Sequence, residues 1–297
     1  MPRRKTKAQE YRNQSAKRYR ASFVGNKDSQ AFAFGSAGPV LGEDLRNITL
    51  HHPDTGATLL QRLHLTSAEK LVQFNKAVAE GDTLLPPLKG WKSRAGSHSL
   101  TLGVWSNQGW VGWTGDHELN KAAADQLLLW ISRLCTKHIA TLEPLLERDY
   151  QEALHGRQEG FQWLKELMDK GATDCLHTWW TSATVIKGCS DIDHTDKFDV
   201  QPSILMNFKK AVHLHLRYKT GTSTVLLHPG SVVFFNAREL HHWVTPAEDN
   251  PDRERWAVAL FCRTAIINQT EPSKGPPRNL PDTPSPGPSR TRRALKK

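Results

Sequence analysis

The stretch between Cys175 and Cys262 constrains the fold most strongly, because its apolar residues recur with a period of two. Such runs, separated by short turns, are typical of β-strands that pack in a sandwich or barrel. Seven or eight short strands after a helical block predict an α+β protein in which a β-barrel or jelly roll is backed by helices. The predicted strands are residues 176–186, 203–208, 212–218, 223–227, 231–235, 241–245 and 255–262.

The preceding region is mixed in character and contains convincing helical patterns. Ser67 can cap a helix whose apolar face continues until Gly81, which is expected to end it. Apolar residues recur at helical spacing from residue 117 to residue 169, with a break before Pro144. We therefore expect a helical or mixed support region over residues 21–173 and a barrel over residues 174–268.

Both ends of the chain are basic and lack hydrophobic periodicity. Residues 1–20 contain eight Lys or Arg against one acidic residue, and residues 271–297 contain seven against two, so the net charge of +10 resides in the tails. We expect residues 1–20 and the proline-rich residues 269–297 to be disordered. Basic tails suit nucleic-acid contact or nuclear import, which favours a nuclear protein, whereas solubility or plain disorder is the alternative.

Composition argues against several other classes of protein. No run approaches the roughly 20 apolar residues of a membrane helix, and the N-terminus lacks the apolar core of a secretory signal, so we expect an intracellular protein without a membrane partner. The four cysteines are widely separated, which fits neither a zinc finger nor a disulfide scaffold.

A candidate metal site begins at His194 and Asp196, which follow an apolar predicted strand. In a strand, residues i and i+2 face the same side, so this imidazole and this carboxylate should converge. Two histidines and one carboxylate on one face of a metal suit Fe(II) and oxygen chemistry. The third ligand must come from a later strand, where both His241 and His242 occur.

Two further histidine patterns are predicted to be structural. His52 and Asp54 also form an H-x-D sequence, but in a turn-like setting. His213 and His215 share one face of a predicted strand, where a solvated polar face is a better interpretation than a second metal site.

The run from Gly230 to Pro246 resembles the second half of an Fe(II)- and 2-oxoglutarate-dependent dioxygenase barrel. In that superfamily a Gly-led apolar strand precedes the distal histidine in an H-x-V-x-P setting. Residues 242–246 fit that pattern and His241 does not. The resemblance therefore implies that His242 completes the metal site with His194 and Asp196.

The same resemblance implies a site for the co-substrate. Family members carry an arginine on the last barrel strand that binds the far carboxylate of 2-oxoglutarate, and Arg255 matches it. A guanidinium forks onto a carboxylate with two charge-assisted hydrogen bonds, which lysine cannot reproduce. Arg253 is the alternative, and Arg263 should lie too far along the strand.

Within the superfamily, residues 175–264 resemble the TET/JBP nucleic-acid base oxygenases, which oxidise methyl groups on bases. The signs are a polar residue soon after the H-x-D, the helical block before the barrel, and Arg255 followed at a fixed interval by Leu-Phe. The resemblance implies a double-stranded β-helix (a jelly-roll or cupin-like barrel) that uses Fe(II), 2-oxoglutarate and O2. It also implies DNA as the partner, with 5-methylcytosine, thymine or N6-methyladenine as the target.

One residue is a candidate for base recognition in this resemblance. Asp199 matches the position at which some members contact the flipped base, although Phe198 and Asp199 replace the His–Asn pair found in some relatives. A base that leaves the stack needs aromatic contacts, for which the candidates are Trp179, Trp180 and Trp243, with core packing as the alternative.

Two other functions compete with this interpretation. A dioxygenase of the same chemistry could act on a protein side chain or a small molecule, with the tails serving only localisation. A nucleic-acid-binding protein on a decayed barrel could lack catalysis altogether, although a complete triad and arginine argue against it.

Overall fold

The computed structural model describes residues 29–35, 40–42, 46–64, 68–107, 110–167, 174–219, 221–247 and 255–267. Both basic tails lie outside these ranges. The described strands are β1 (Ser29–Ala33), β2 (Asn47–His51), β3 (Thr58–His64), β4 (Lys92–Arg94), β5 (Ser97–Asn107), β6 (Trp110–Trp113), β7 (Ser182–Gly188), β8 (Asp199–Asn207), β9 (Val212–Tyr218), β10 (Gly221–Leu227), β11 (Ser231–Phe235), β12 (His241–Pro246) and β13 (Trp256–Arg263). The described α-helices are α1 (Ala68–Leu84), α2 (Gly115–Leu119), α3 (Lys121–Leu134), α4 (Arg148–Leu167) and α5 (Thr264–Ile267). A π-helical turn (Cys135–Ile139) and a 3-10 helix (Ala140–Leu145) join α3 to α4.

The second half of the chain winds alternately between two facing sheets. The larger sheet contains β11, β8, β13 and β7 in that order, and the smaller sheet contains β10, β9 and β12. Residues 190–194 add a fourth member to the smaller sheet, since the Val244 N–H donates to the Ser190 carbonyl at 2.9 Å. Apart from the β9–β10 hairpin, which lies within the smaller sheet, the chain therefore alternates between the sheets from β7 to β13. This winding is a double-stranded β-helix, which confirms the predicted fold class.

The N-terminal strands extend the larger sheet at both edges. β3 pairs with β11 and continues outward through β2 to β1, while β5 pairs with β7 and continues to β4. The support region is therefore part of the barrel's own sheet as well as a helical layer. Of these strands, β2 (Asn47–His51) and residues 100–104 of β5 alternate apolar and other residues, whereas β1, β3 and β4 show no clear period of two.

Two apolar cores lie on opposite faces of the larger sheet. The outer face packs against the helices through an aromatic cluster in which Phe208 lies 4.2 Å from Trp256 and 5.9 Å from Phe74, centroid to centroid. The inner face packs against the smaller sheet. Along β13 the alternation is plain: Trp256 and Val258 belong to the outer core, and Ala257 belongs to the inner one.

Three predicted boundaries are wrong: the strand predicted from residue 203 begins already at Asp199, and two others differ for identifiable reasons. Gly81 does not end its helix, because α1 continues to Leu84. A Cβ at Gly81 would lie 2.6 Å from the Trp130 ring, so this glycine lets two helices approach. The predicted strand 176–186 begins only at Ser182, because residues 177–180 turn back on themselves with the Trp180 N–H donating to the His177 carbonyl at 3.0 Å.

Within the described ranges, none of the helices has the length and apolarity that a membrane crossing requires.

Gly188 ends β7 with a φ of +76°, and a Cβ built there would lie 2.6 Å from the Gly96 carbonyl oxygen. We predict that Gly188→Ala lowers the free energy of unfolding by roughly 1–3 kcal/mol, because the left-handed backbone is strained for any side chain. Urea unfolding of the purified protein measures the effect.

Gly156 provides the matched control, since it lies within α4 and a Cβ there meets nothing within 4 Å. Gly156→Ala should raise the free energy of unfolding by about 0.5–1 kcal/mol. Two alanine variants of equal stability would contradict the assigned strain at Gly188.

Candidate metal centre

The two histidines of the centre are brought together by main-chain pairing. His194 and His242 form an isolated antiparallel bridge. The His242 N–H donates to the His194 carbonyl at 2.9 Å, and the reverse bond is 3.2 Å long. The imidazole rings consequently lie side by side with centroids 4.3 Å apart. Main-chain pairing therefore places the two imidazoles next to each other.

Asp196 completes a compact set of three ligands. One ligand atom from each of His194, Asp196 and His242 lies within 4.8 Å of the other two. The His242 Nε2 to Asp196 Oδ2 distance is 3.6 Å. The Asp196 N–H donates to the Ala237 carbonyl at 2.8 Å, which ties this residue to the loop before β12. Among the described residues, this trio is the one group of His, Cys, Asp and Glu side chains arranged to hold a metal.

Hydrogen bonds fix both imidazoles in the form that binds metal. The Nδ1 of His194 lies 2.9 Å from the Ile192 carbonyl, and the Nδ1 of His242 lies 3.0 Å from the Leu240 carbonyl. A carbonyl oxygen only accepts, so each Nδ1 carries the hydrogen and each Nε2 keeps its lone pair. Such bonds orient metal-binding histidines and raise their basicity as ligands.

The environment of His242 favours its neutral state. Burial lowers the pKa of His242, and the adjacent His194 imidazole lowers it further. The Phe235 ring packs edge-on against the imidazole with centroids 5.1 Å apart. Because a metal competes with protons for the imidazole, a lowered pKa keeps the ligand available near neutral pH.

The neighbouring His241 faces away from the centre. Its Nδ1 lies 2.9 Å from Asp193 Oδ1, and Arg217 pairs with the other oxygen of that carboxylate. Its side chain is 47% exposed, whereas that of His242 is 9% exposed. Alternation along β12 therefore separates the two candidates that the sequence places together.

Arg255 is buried immediately before β13, and two hydrogen bonds hold part of its guanidinium in place. Nη1 donates to the Gly188 carbonyl at 2.6 Å, and Nε donates to Asn207 Oδ1 at 3.2 Å. The buried Nη2 has no hydrogen-bond partner among the described residues. A buried donor without a partner is rare and costly, so this fork is suited to an anion that is bound from outside.

The nearest titratable side chain does not supply that anion. Cys189 forms a side-chain hydrogen bond with the guanidinium, and burial raises the pKa of its thiol even though the charge and the hydrogen bond of Arg255 oppose the shift. The thiol is therefore neutral near pH 7. Burial also lowers the pKa of Arg255, as expected for a cation without a fixed counter-charge.

Small side chains line the barrel interior near this arginine. Arg255 shares its side of β13 with Ala257 and Ala259, and Cys189 packs against the same inner core. Cys189 and Ala259 keep partial solvent exposure there. The side chains beside Arg255 on this face of β13 are therefore small, and two of them keep some contact with solvent.

These residues fit the predicted cofactor and co-substrate. Two imidazoles and a carboxylate on one side of a metal form the facial set that binds Fe(II) and leaves other positions open. The unpartnered guanidinium fits the far carboxylate of 2-oxoglutarate. The alternative Arg253 lies outside the described residues. Arg263 lies 3.3 Å from Asp199 and is therefore engaged elsewhere.

Asp199 lies in the wall of the centre and is only 3% exposed. It accepts a hydrogen bond from Ser203 and pairs with Arg263. Burial raises its pKa to about 7, and the neighbouring Asp196 adds to the shift. A direct contact between this carboxylate and a substrate stays a prediction, which requires the Arg263 pair to rearrange or to be shared.

The predicted aromatic contacts lie away from the three ligands. Trp179 and Trp180 are buried in the core. Trp243 lies on the other face of the smaller sheet and stacks on His215 with centroids 5.1 Å apart. Both ring nitrogens of His215 bind threonine hydroxyls, so that histidine is structural. His52 accepts hydrogen bonds from backbone N–H groups in a turn, as its sequence context predicts.

The sequence does not indicate which residues position the Arg255 guanidinium. Asn207 ends an apolar strand and reads as an ordinary turn residue. Its carbonyl oxygen accepts from Arg255, while its amide donates to the Lys210 and Leu227 carbonyls. Only the strand pairing of β8 with β13 shows that this side chain supports the arginine.

Comparisons with known proteins give structural likenesses only. No protein-family model and no curated protein matches the chain. A solved structure of NgTET1 in complex with 5mC DNA is 16% identical over 82% of this chain and 85% of that chain, with a TM-score of 0.46. A 2OG-Fe(II) oxygenase family oxidoreductase from Burkholderia pseudomallei is 11% identical over 67% of this chain and 82% of that chain, with a TM-score of 0.38.

OsALKBH1 is 10% identical over 67% of this chain and 97% of that chain, with a TM-score of 0.36. The fold is assigned on the strand order of this chain itself.

Of the adjacent histidines His241 and His242, only His242 should be required for metal binding. We predict that His242→Ala weakens Co(II) binding more than about 100-fold, since loss of a group that merely orients a ligand already costs about 10- to 100-fold. His241→Ala should bind Co(II) within about threefold of wild type, because an exposed ion pair contributes little. Titration followed by visible absorption measures both, and a larger loss in His241→Ala would reverse the assignment.

The raised pKa of Asp199 predicts a pH-dependent effect on stability. Its pKa is about 7 in the folded protein against an ordinary value of 3.8. Ionisation therefore costs stability increasingly from about pH 4 to about pH 7, and this cost stays constant above that range. Asp199→Asn, which cannot ionise, should gain roughly 1–3 kcal/mol more over wild type at pH 8 than at pH 5.

Urea unfolding of metal-free protein at the two pH values measures this gain. A benefit that shrinks as the pH rises would mean that the ion pair with Arg263 outweighs the cost of burying the charge.

Proposed function

We propose that this protein is an Fe(II)- and 2-oxoglutarate-dependent dioxygenase that oxidises the methyl group of a modified nucleic-acid base. One observation carries the enzymatic part. Three pre-positioned ligands and a buried arginine with an unpartnered Nη2 occur in the same barrel. A purely structural metal site would not require the arginine. A purely structural arginine would not require a metal site with open coordination positions.

Two groups of described residues would bind the metal and the co-substrate. His194, His242 and Asp196 hold the metal on one face and leave its other positions open to 2-oxoglutarate and O2. Arg255 holds the far carboxylate, with Gly188 and Asn207 keeping the fork in position. Bound Fe(II) with 2-oxoglutarate and O2 supplies the oxidising power to hydroxylate an unactivated C–H bond, with release of succinate and CO2.

Sequence features support a nucleic-acid substrate. Residues 175–264 resemble the TET/JBP oxygenases in the residues after the H-x-D and at the end of the barrel. Both tails are strongly basic while the rest of the chain is not, and such tails attract the phosphate backbone. On this basis we propose DNA as the partner, a nuclear location, and 5-methylcytosine, thymine or N6-methyladenine as the target.

The second candidate keeps the chemistry and changes the substrate. A protein side chain or a small molecule would need the same triad and the same arginine, and the tails would then serve localisation. The triad does not distinguish these two candidates, because it would bind the metal, 2-oxoglutarate and O2, which are the same for both substrates. A purely DNA-binding role is disfavoured, since a decayed barrel has no reason to keep both imidazoles aligned by carbonyl bonds.

Nucleoside mass spectrometry tests the substrate directly. Duplex and single-stranded oligonucleotides containing each methylated base are incubated with the protein, Fe(II), 2-oxoglutarate, ascorbate and O2, with Asp196→Ala as the inactive control. We predict an oxidised nucleoside from at least one methylated base, formed together with succinate. Succinate without any oxidised base, on DNA or RNA, would favour the second candidate.

The role of Arg255 predicts a selective change in the same assay. Arg255→Lys keeps a charge but loses the fork, so the KM for 2-oxoglutarate should rise about 10- to 100-fold, which corresponds to one charged hydrogen bond. Arg253→Lys is the matched control and should keep the wild-type KM. The reverse result would move the carboxylate site to Arg253.

A further inference from the structure

A short turn between β11 and β12, residues 236–240, supports two of the three metal ligands. Its Ala237 carbonyl accepts a hydrogen bond from the Asp196 N–H at 2.8 Å. Its Leu240 carbonyl accepts from Nδ1 of His242 at 3.0 Å. The first bond holds the backbone that carries the carboxylate, and the second holds the imidazole ring. The positions of these two carbonyls therefore affect how two ligands meet a metal ion.

Asn236 begins this turn and closes it with main-chain hydrogen bonds. Its N–H donates to the Leu59 carbonyl in β3 at 2.8 Å. Its carbonyl accepts from the Leu240 N–H at 2.9 Å and from the Glu239 N–H at 3.2 Å. The start of the turn is therefore bonded to the larger sheet, and the two ends of the turn are bonded to each other.

The Asn236 side chain adds two further hydrogen bonds. Its Oδ1 accepts from the Glu239 N–H at 3.0 Å and from Nε2 of Gln201 in β8. Asn236 is only 4% exposed, so these bonds are largely shielded from water. A bond from an Asn side chain to a nearby main-chain N–H is common in turns. The bond from Gln201 is different, because it joins the turn to a strand 35 residues away in sequence.

This long-range bond connects the segments that carry the two ligands. Gln201 lies in β8, which begins at Asp199, shortly after Asp196. The turn that Asn236 closes leads directly into β12, where His242 is the second residue. The bond between the Gln201 and Asn236 side chains therefore ties the backbone after one ligand to the backbone before the other.

We propose that Asn236 is a positioning residue for the metal centre. It acts through the turn whose carbonyls hold Asp196 and His242, and it does not bind the metal itself. The inference rests on the proposed function, because it concerns the same metal centre. Groups that orient metal ligands from outside the ligand set commonly change metal affinity when they are removed.

Substitution of Asn236 in the full-length, metal-free protein tests this role through Co(II) binding, which needs no substrate. Asn236→Ala removes both side-chain bonds and should weaken Co(II) binding about 10- to 100-fold. Its visible absorption at saturating Co(II) should also differ from that of wild type, because the absorption reports the arrangement of the ligands. Asn236→Asp keeps an acceptor oxygen at the position of Oδ1, so it should restore the affinity to within about threefold of wild type.

Asn120, which lies between α2 and α3, provides a matched control. It is 7% exposed, and its Oδ1 accepts from the Lys89 N–H at 2.7 Å. Its amide donates to the Lys89 and Asp116 carbonyls. Asn120→Ala therefore removes a comparable set of buried bonds, none of which supports a metal ligand. It should lower the free energy of unfolding and leave the Co(II) affinity within about threefold of wild type.

Three results would overturn the inference. They are wild-type Co(II) affinity in Asn236→Ala, an affinity in Asn236→Asp as low as in the alanine variant, and an equal loss of affinity in Asn120→Ala. If Asn236→Ala does not fold, Gln201→Ala replaces it. That variant removes one donor to Oδ1 and should weaken Co(II) binding about 3- to 10-fold, the effect of one hydrogen bond. Unchanged affinity in Gln201→Ala would then contradict the positioning role.

The metal titration also separates this inference from the proposed function. If no methylated base is oxidised but Asn236→Ala still loses Co(II) affinity selectively, the substrate assignment fails and the positioning role stands. If bases are oxidised and Asn236→Ala binds Co(II) as wild type does, the positioning role alone is wrong.

Discussion

The pairing of His194 with His242 is the interaction on which the rest of the centre depends. Two reciprocal main-chain hydrogen bonds join segments that are far apart in sequence, and this places two imidazoles side by side. The pair exists only because the smaller sheet gains residues 190–194 as its outer member, next to β12. Asp196 then follows within reach, held by its own bond to the Ala237 carbonyl. The scaffold therefore supplies ligand spacing from backbone geometry, while the Nδ1 bonds to carbonyl oxygens select the tautomer.

Strand alternation in β13 connects this centre to the arginine. Trp256 and Val258 face the helices and form the larger core, so Arg255 and Ala257 must face the barrel interior. Burying a guanidinium is costly unless its donors are satisfied. Gly188 and Asn207 satisfy part of this requirement, and the remaining Nη2 is free to bind an anion. The buried, unpartnered Nη2 therefore suits the carboxylate that we propose Arg255 to bind.

Much of the ligand set could be predicted from the sequence, since it depends on local patterns. The H-x-D spacing predicts His194 and Asp196, and the resemblance of residues 242–246 to the dioxygenase pattern implies His242; the fold brings these three side chains together. Features that depend on long-range pairing could not be predicted. The strands β1, β3 and β4 lack a clear period of two, and the support of Arg255 by Asn207 depends on the pairing of β8 with β13. Gly81 looks like a helix stop in the sequence, but it lies inside the helix and makes room for the Trp130 ring. The burial of Asp199 beside Arg263 could not be predicted either, because an H-x-D motif does not indicate which residues pack over those that follow it.

Anaerobic titration of the metal-free protein with Fe(II) and then 2-oxoglutarate tests the central claim most directly. Chelation of Fe(II) by the keto acid produces a visible charge-transfer absorption, which requires both the metal and an intact co-substrate site. We predict one Fe(II) per chain and an absorption band that appears only after 2-oxoglutarate is added. An iron-bound protein that stays colourless with saturating 2-oxoglutarate, or one that binds no iron, would contradict the account.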